Sequence, residues 1–300
     1  MSDTAQSLAQ KISGASDLQG VVRSMKALAA SSISQYERAV ASLDDYYRTL
    51  ELALSACFRA AGPNSVPASK ANVKPLIGAV IFGSDQGLVG DFNEVVVDFA
   101  TKALASTPGE VKLLWPVGDR ARALLTDTGV SANENLAVPN SVNAINSLVG
   151  QLLVDIGAAV DAGKVVEVYV FHNHPKSGDL YEPVCKRLLP LDDVWRKKLL
   201  EQPWPTRSLP EVIDGVAPAL QAFLRGYLFV LLFQACAESL ASENSSRLAA
   251  MQRAEKNIEG MLDDLTRTLH RVRQASIDEE LFDVIAGFEA LRKPKVRAKA

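Results

Sequence analysis

Apolar residues near the start of this chain recur in alternating steps of four and three. Tyr36, Val40, Leu43, Tyr47, Leu50, Leu54 and Cys57 are spaced 4-3-4-3-4-3, and the same register run backwards meets Ile33, Ala29, Lys26, Val22, Gln19, Ala15, Ile12 and Leu8. A stripe kept over several heptads marks a helix that packs lengthwise on another helix. The cluster GPNSVP at 62–67 ends it, because Gly and Pro break helices. The far end of the chain repeats the pattern. Met251, Ala254, Ile258, Leu262, Leu265, Leu269 and Val272 are spaced 3-4-4-3-4-3, and between Glu211 and Gly287 the strong breakers are Gly215, Pro218, Gly226 and Gly260. One helix over most of that stretch would hold ~70 residues and run on the order of 100 Å. An element of that length needs a partner along it. The N-terminal stripe supplies one, so the two ends of the chain are expected to wind together as a coiled coil.

The middle, roughly 70–205, reads differently. Leu76 to Phe82 is a short apolar run leading into a Gly-rich loop, Phe92 to Leu104 is helical, and Val111 to Trp115 is β-branched and aromatic. Asp119 to Thr126 reads as a short helix, Ser141 to Ala162 as a longer one, and Val165 to Phe171 as another strand. This alternation predicts a small, mostly parallel α/β sheet. The tail RKPKVRAK at 292–299 is basic and of low complexity.

Bulk properties narrow the class. Hydrophobic residues make up 48% of the 300 and charged residues 22%, which fits a globular chain rather than a disordered one. A formal charge of −3 offers no broad attraction to nucleic acid. Cys57, Cys185 and Cys236 are odd in number and far apart, which suits a reducing compartment better than a disulfide framework. The N-terminus MSDTAQSLAQK lacks the apolar core of a secretory signal and the arginines of a transit peptide. The most apolar stretch, Gly226 to Ala237, is about 12 residues against roughly 20 for a membrane span. It reads as a buried helix segment, leaving membrane association indirect.

Three local features invite chemistry. SDQGLVGDFN (84–93) follows a strand and opens a helix, where Rossmann-type folds bind phosphates. Its glycines Gly83, Gly87 and Gly90 do not make G-x-G-x-x-G, and Asp85 and Asp91 would repel a pyrophosphate, so a tight strand-to-helix turn is the plainer reading. No G-x-x-x-x-G-K-[ST] occurs, and no cofactor is assigned. His172 and His174, at i and i+2, share one strand face and could suit a metal, with Asp179 and Cys185 as distant helpers and His270 on another element. Exposed strand-end histidines are the expectation, with no metal or catalytic residue assigned. Arg247 falls on the apolar seam, where it must find a partner or reach solvent; Arg271, Arg273 and Gln274 form a second polar cluster.

These residues resemble the gamma subunit of F-type ATP synthases. SLASENSSRLAAMQRAEKNIEGMLDDL (239–265) and RQASIDEEL (273–281) are similar to the family's A-S-E-x-x-A-R-M-x-A-M-x-x-A-x-x-N and R-Q-A-S-I-T-x-E-L, and SDQGLVGDFN to its S-D-x-G-L-C-G-x-F-N. VVRSMKALAAS (21–31), PVGDRARALLTDTGV (116–130) and VYVFHN (168–173) match less closely, in the family's order.

The resemblance implies an α/β fold with a long antiparallel coiled coil of the N- and C-terminal helices plus a Rossmann-like α/β domain. The implied division is an N-terminal shaft helix at 1–60, the α/β domain at 70–205, a C-terminal shaft helix at 210–290 and a basic tail at 291–300. It further implies a non-catalytic central-stalk rotor with alpha and beta subunits, an epsilon subunit and a membrane rotor ring as partners, and no nucleic acid. The place implied is the cytoplasmic face of a bacterial inner membrane, reached through the complex. Residue by residue, Met25, Arg247, Arg273 and Gln274 fall on positions that contact the beta-subunit catch and the hexamer bearing. Departures include SSISQYERAV where the family is rich in Lys and Arg, Val89 for Cys, Asp91 for Gly and Asp278 for Thr. Two other readings stand beside this one: a stand-alone α/β nucleotide-binding enzyme, and an unrelated structural coiled-coil protein.

Overall fold

The computed structural model describes residues 4–61, 76–127, 136–176, 179–191, 193–201, 203–208, 210–213 and 215–292. The linker GPNSVP and the basic tail past Arg292 lie outside the described residues. By contacts the chain forms two compact units, one of 1–27 with 251–300 and one of 28–250.

The first unit is helical. The start of α1 (Ala5–Ser42) runs beside the 251–272 stretch of α7 (Val216–Arg292). Leu8, Ala15 and Val22 are buried on one strand of this pair, and Met251, Ile258 and Leu269 on the other. These are stripe positions, placed inward by the 3.5-residue spacing. Arg23 bonds Glu255 at 2.9 Å and approaches Glu259 at 3.7 Å, while Gln19 reaches Glu259 at 3.5 Å. Lys26 also pairs with Glu255. Falling numbers on one helix meet rising numbers on the other, so the pair is antiparallel, as expected.

The second unit is built on a four-stranded sheet of order β2-β1-β3-β4, with β1 Leu76–Phe82, β2 Glu110–Val117, β3 Glu167–Lys176 and β4 Asp179–Leu189. β1 pairs parallel with β2 and β3, and β4 adds antiparallel to β3. Side chains alternate between the faces, so β1, β2 and β3 each feed two cores. Ile77, Ala79 and Ile81 point to α3 (Phe92–Ser106) and α4 (Asp119–Asp127), where Val96, Val97, Ala100 and Leu125 bury them. Val80, Phe82, Trp115, Val168 and Val170 form the opposite core with Ile145, Val149 and Leu152 of α5 (Val142–Asp161), Tyr36 and Ala39 of α1, and Leu232, Phe233 and Cys236 of α7. Strands covered on both sides read as near-continuous apolar runs, which is why β1 stood out in the sequence.

Two departures from expectation concern the backbone. The N-terminal stripe is carried by two helices, α1 and α2 (Asp44–Ala61), with a lapse at Leu43. The sheet also gains β4, followed by α6 (Asp193–Glu201), whose Leu199 packs with Leu54, Phe58 and Tyr227. α5 and α7 each contain an 18-residue window apolar enough to cross a membrane by length and composition. In α7 that apolarity includes Val230, Leu232, Phe233 and Cys236, all core residues of this unit, which is the buried segment expected for 226–237.

Candidate functional site

The glycine loop after β1 is closed by its own side chains. Asn93 is buried, accepts the Ser84 backbone N–H at 2.9 Å and donates Nδ2 to the Ser84 hydroxyl at 2.9 Å. The Asp85 carboxylate accepts two backbone N–H groups, from Asp119 at 3.1 Å and Val138 at 3.0 Å. Gly118 meets this loop at φ +104°, and a Cβ there would lie 2.7 Å from the Ser84 carbonyl oxygen. Only glycine combines that backbone angle with that approach. Leu88 also takes a positive φ of 64° with its side chain exposed. The plainer sequence reading, a strand-to-helix turn, is therefore the geometry found.

The loop is tied to α7. The Ser246 hydroxyl donates to the Val89 carbonyl, and the Ser242 hydroxyl donates to the carbonyl of Asn173 on β3 at 3.0 Å. Asn173 in turn donates to the Phe92 carbonyl at 2.9 Å, and the Tyr181 hydroxyl donates to Asp91 at 2.8 Å. The motif S-E-N-S-S-R thus holds small hydroxyl residues because α7 must approach β3 and the loop closely enough to bond their backbone.

Arg247 lies one turn past Glu243 on α7 and donates to its carboxylate at 2.6 Å. Their side chains are 14% and 7% exposed, so the pair is nearly dry. Burial raises the Glu243 carboxyl above its ordinary range; Arg247 opposes the rise and Asp85 adds to it. The pair borders a cleft of about 220 Å³ with Tyr36, Asp85, Gln86 and Asn244. One guanidinium nitrogen serves Glu243, and the planar fork has further N–H groups to offer.

The two β3 histidines correct the sequence expectation of exposed strand ends. His172 is fully buried and His174 is 43% exposed on its side chain. Both reach the same oxygen of Glu238 on α7, His172 Nε2 at 2.7 Å and His174 Nδ1 at 3.0 Å. Gln234 donates to the other carboxylate oxygen at 2.7 Å, and the Lys186 ammonium stands 3.9 Å away. Burial works against the Glu238 anion, yet His172, Lys186 and His174 hold its carboxyl down to about 2. Burial lowers the basicity of His172, and the Glu238 carboxylate opposes that fall. Glu238 was missed in the sequence because 64 residues separate it from His174; β3 and α7 meet only in the fold.

Of the four residues carried over by resemblance, Met25, Arg273 and Gln274 fall in the helical unit and Arg247 in the sheet unit. Met25 is half-buried; Arg273 and Gln274 are exposed on α7 beyond Val272. From 273 to 289 every side chain of α7 is exposed, including Ile277, Leu281, Phe282, Val284, Ile285 and Phe288.

A family model described as ATP synthase matches residues 4–291. The chain is 31% identical over 215 residues to the ATP synthase gamma chain of Ehrlichia ruminantium, covering 71% of this chain and 72% of that one. It is 26% identical over 286 residues to the gamma chain of Pelotomaculum thermopropionicum, covering 95% and 98%. In fold it is similar to a chain of the Euglena gracilis mitochondrial ATP synthase OSCP/F1/c-ring assembly, with TM-score 0.60, 15% identity and coverage of 99% and 98%. A chain of the Tetrahymena thermophila central stalk and c-ring aligns with TM-score 0.54 and 18% identity, covering 78% and 99%.

Proposed function

This chain belongs to the ATP synthase gamma-chain family, and from that premise we propose how it works as the central-stalk rotor of an F-type complex. It is not itself the catalyst. Nucleotide chemistry resides in the beta subunits of an alpha/beta hexamer, and this chain carries rotation between that hexamer and a membrane rotor ring. An asymmetric shaft presents a different face to each of three catalytic sites, so its angle sets their states in turn.

The observation that carries the reading is the bare end of α7. A helix bearing six large apolar side chains over 277–288, all exposed, has no reason to be so in water unless another protein sheathes it. Arg273 and Gln274 sit where the exposed stretch begins, placed for the rim of such a sleeve. Met25 and Arg247 are the further contact residues of this reading. Arg247 is held by Glu243 in a fixed pose, which lowers the entropy lost when a partner carboxylate engages its remaining donors. Such partner chains work at the cytoplasmic face of a bacterial inner membrane, with an epsilon subunit beside the sheet unit.

Co-expression with the alpha and beta subunits of the same genome, followed by native mass spectrometry and an ATPase assay, tests this. The expected product has one copy of this chain per three alpha and three beta, with ATPase activity dependent on the chain. Shortening the chain at Val272 should weaken its retention in that assembly. A hexamer whose ATPase activity and composition ignore the chain would refute the rotor reading.

A further inference from the structure

His172, His174 and Glu238 bring two imidazole nitrogens and one carboxylate oxygen to within 4.8 Å of one another. We propose that these three side chains form a site for a single divalent transition ion of the zinc class, joining β3 to α7, with water in the fourth position.

Donor type, geometry and access argue for it together. Two imidazoles and a carboxylate suit Zn²⁺ and its first-row neighbours and exclude Mg²⁺ and Ca²⁺, which want oxygen alone. Ligands bonded at about 2.0 Å on a tetrahedron lie roughly 3.3 Å apart. The carboxylate oxygen is already 2.7 Å from His172 Nε2 and 3.0 Å from His174 Nδ1, so an ion would part these two pairs slightly and draw the two nitrogens, within 4.8 Å, towards each other. Ligation through Nε2 requires the His172 proton on Nδ1, a buried atom with no hydrogen-bond partner among the described residues, so the ion must offset one unsatisfied N–H. Gln234 holds the second carboxylate oxygen and so fixes the orientation of Glu238, as outer residues do around metals. Half-exposed His174 gives the ion a way in.

Lys186 is the resident competitor. Its ammonium is 3.9 Å from the carboxylate and 37% exposed, so it can swing to solvent when a dication enters. Cys185 pairs across from Phe171, one residue out of phase with His172, and so belongs to the other sheet face. It is thus not a ligand of this site.

The test uses the full-length chain stripped of metal, titrated with Zn²⁺ against a chromophoric chelator, and with Co²⁺ read by its visible ligand-field bands. One ion per chain is expected, with tetrahedral Co²⁺ intensity. His174→Ala should weaken binding at least ~10-fold while tryptophan fluorescence shows the unit still folded. Cys185→Ser and His270→Gln should each leave it unchanged, and Lys186→Met should tighten it several-fold by removing the like charge. Absence of saturable Zn²⁺ binding tighter than about 100 µM by the folded chain would overturn the proposal. So would binding that survives His174→Ala, or binding that Cys185→Ser abolishes.

Discussion

Replacing Arg247 by Ala strands a carboxylate. Glu243 is 7% exposed on its side chain and loses the one close cation it has among the described residues. Breaking such a pair from one side typically costs about 3–5 kcal/mol. The carboxyl has an escape, however, because it can take up a proton. For a group of ordinary pKa 4.5 that escape costs no more than about 3.4 kcal/mol at pH 7. Burial and Asp85 already raise this carboxyl, which lowers the ceiling further. The expected loss is therefore about 2–3 kcal/mol at pH 7. It should shrink by up to about 1.4 kcal/mol for each pH unit of acidification, since the mutant then gains a neutral acid more cheaply. Trp115, Trp195 and Trp204 all lie in 28–250, so tryptophan fluorescence in urea follows this unit selectively. Arg247→Ala combined with Glu243→Gln should recover at least about 1 kcal/mol of the loss. An Arg247→Ala penalty that is the same at pH 7.5 and 5.5, or a double variant no more stable than the single, would refute the argument. A rotary defect in Arg247→Ala should be read only beside that control, because the residue serves the fold as well as the proposed contact.

Two further predictions concern the sheet unit. Glu238 is held below its unfolded value, so its contribution is complete above about pH 4.5 and fades as pH falls towards 2; Glu238→Gln should flatten that limb of an acid-denaturation curve followed by tryptophan fluorescence. Gly118→Ala places a methyl against the Ser84 backbone at a φ of +104° and should cost about 3 kcal/mol or more, measured by the same urea melt, whereas Gly163→Ala, with open space around it, should cost only the roughly 1 kcal/mol of its backbone angle.

The heptad stripes were the most legible part of the sequence because burial in a helix pair depends on spacing alone. Every described residue of both stripes is buried or half-buried, including the polar interruptions Gln19 and Lys26, which face Glu259 and Glu255. The lapse at Leu43 was not legible, since Val40, Leu43 and Tyr47 keep the apolar spacing while the backbone alone changes. β4 escaped notice because Pro183 sits within it. As an edge strand it pairs only with β3 and tolerates the missing N–H. Similarly, the i and i+2 histidines were visible as a pair, but nothing local could announce a carboxylate brought up by a helix far along the chain. Arg247 stands out in the sequence as a seam residue that must find a partner or reach solvent; Glu243, four residues earlier, is the partner within the chain that ordinary helix spacing offers.

Asp85 gives the glycine loop a character of its own. In a nucleotide-binding scaffold the turn after the first strand holds a diffusible anion, and the protein loosens when that anion leaves. Here a negative group is built into the chain, and its two oxygens latch the start of α4 and the segment entering α5. A tethered latch cannot diffuse away, so this loop has no empty and filled states to exchange between. For a part that must pass on torque without giving way, a socket permanently closed by its own plug is stiffer than one awaiting a visitor.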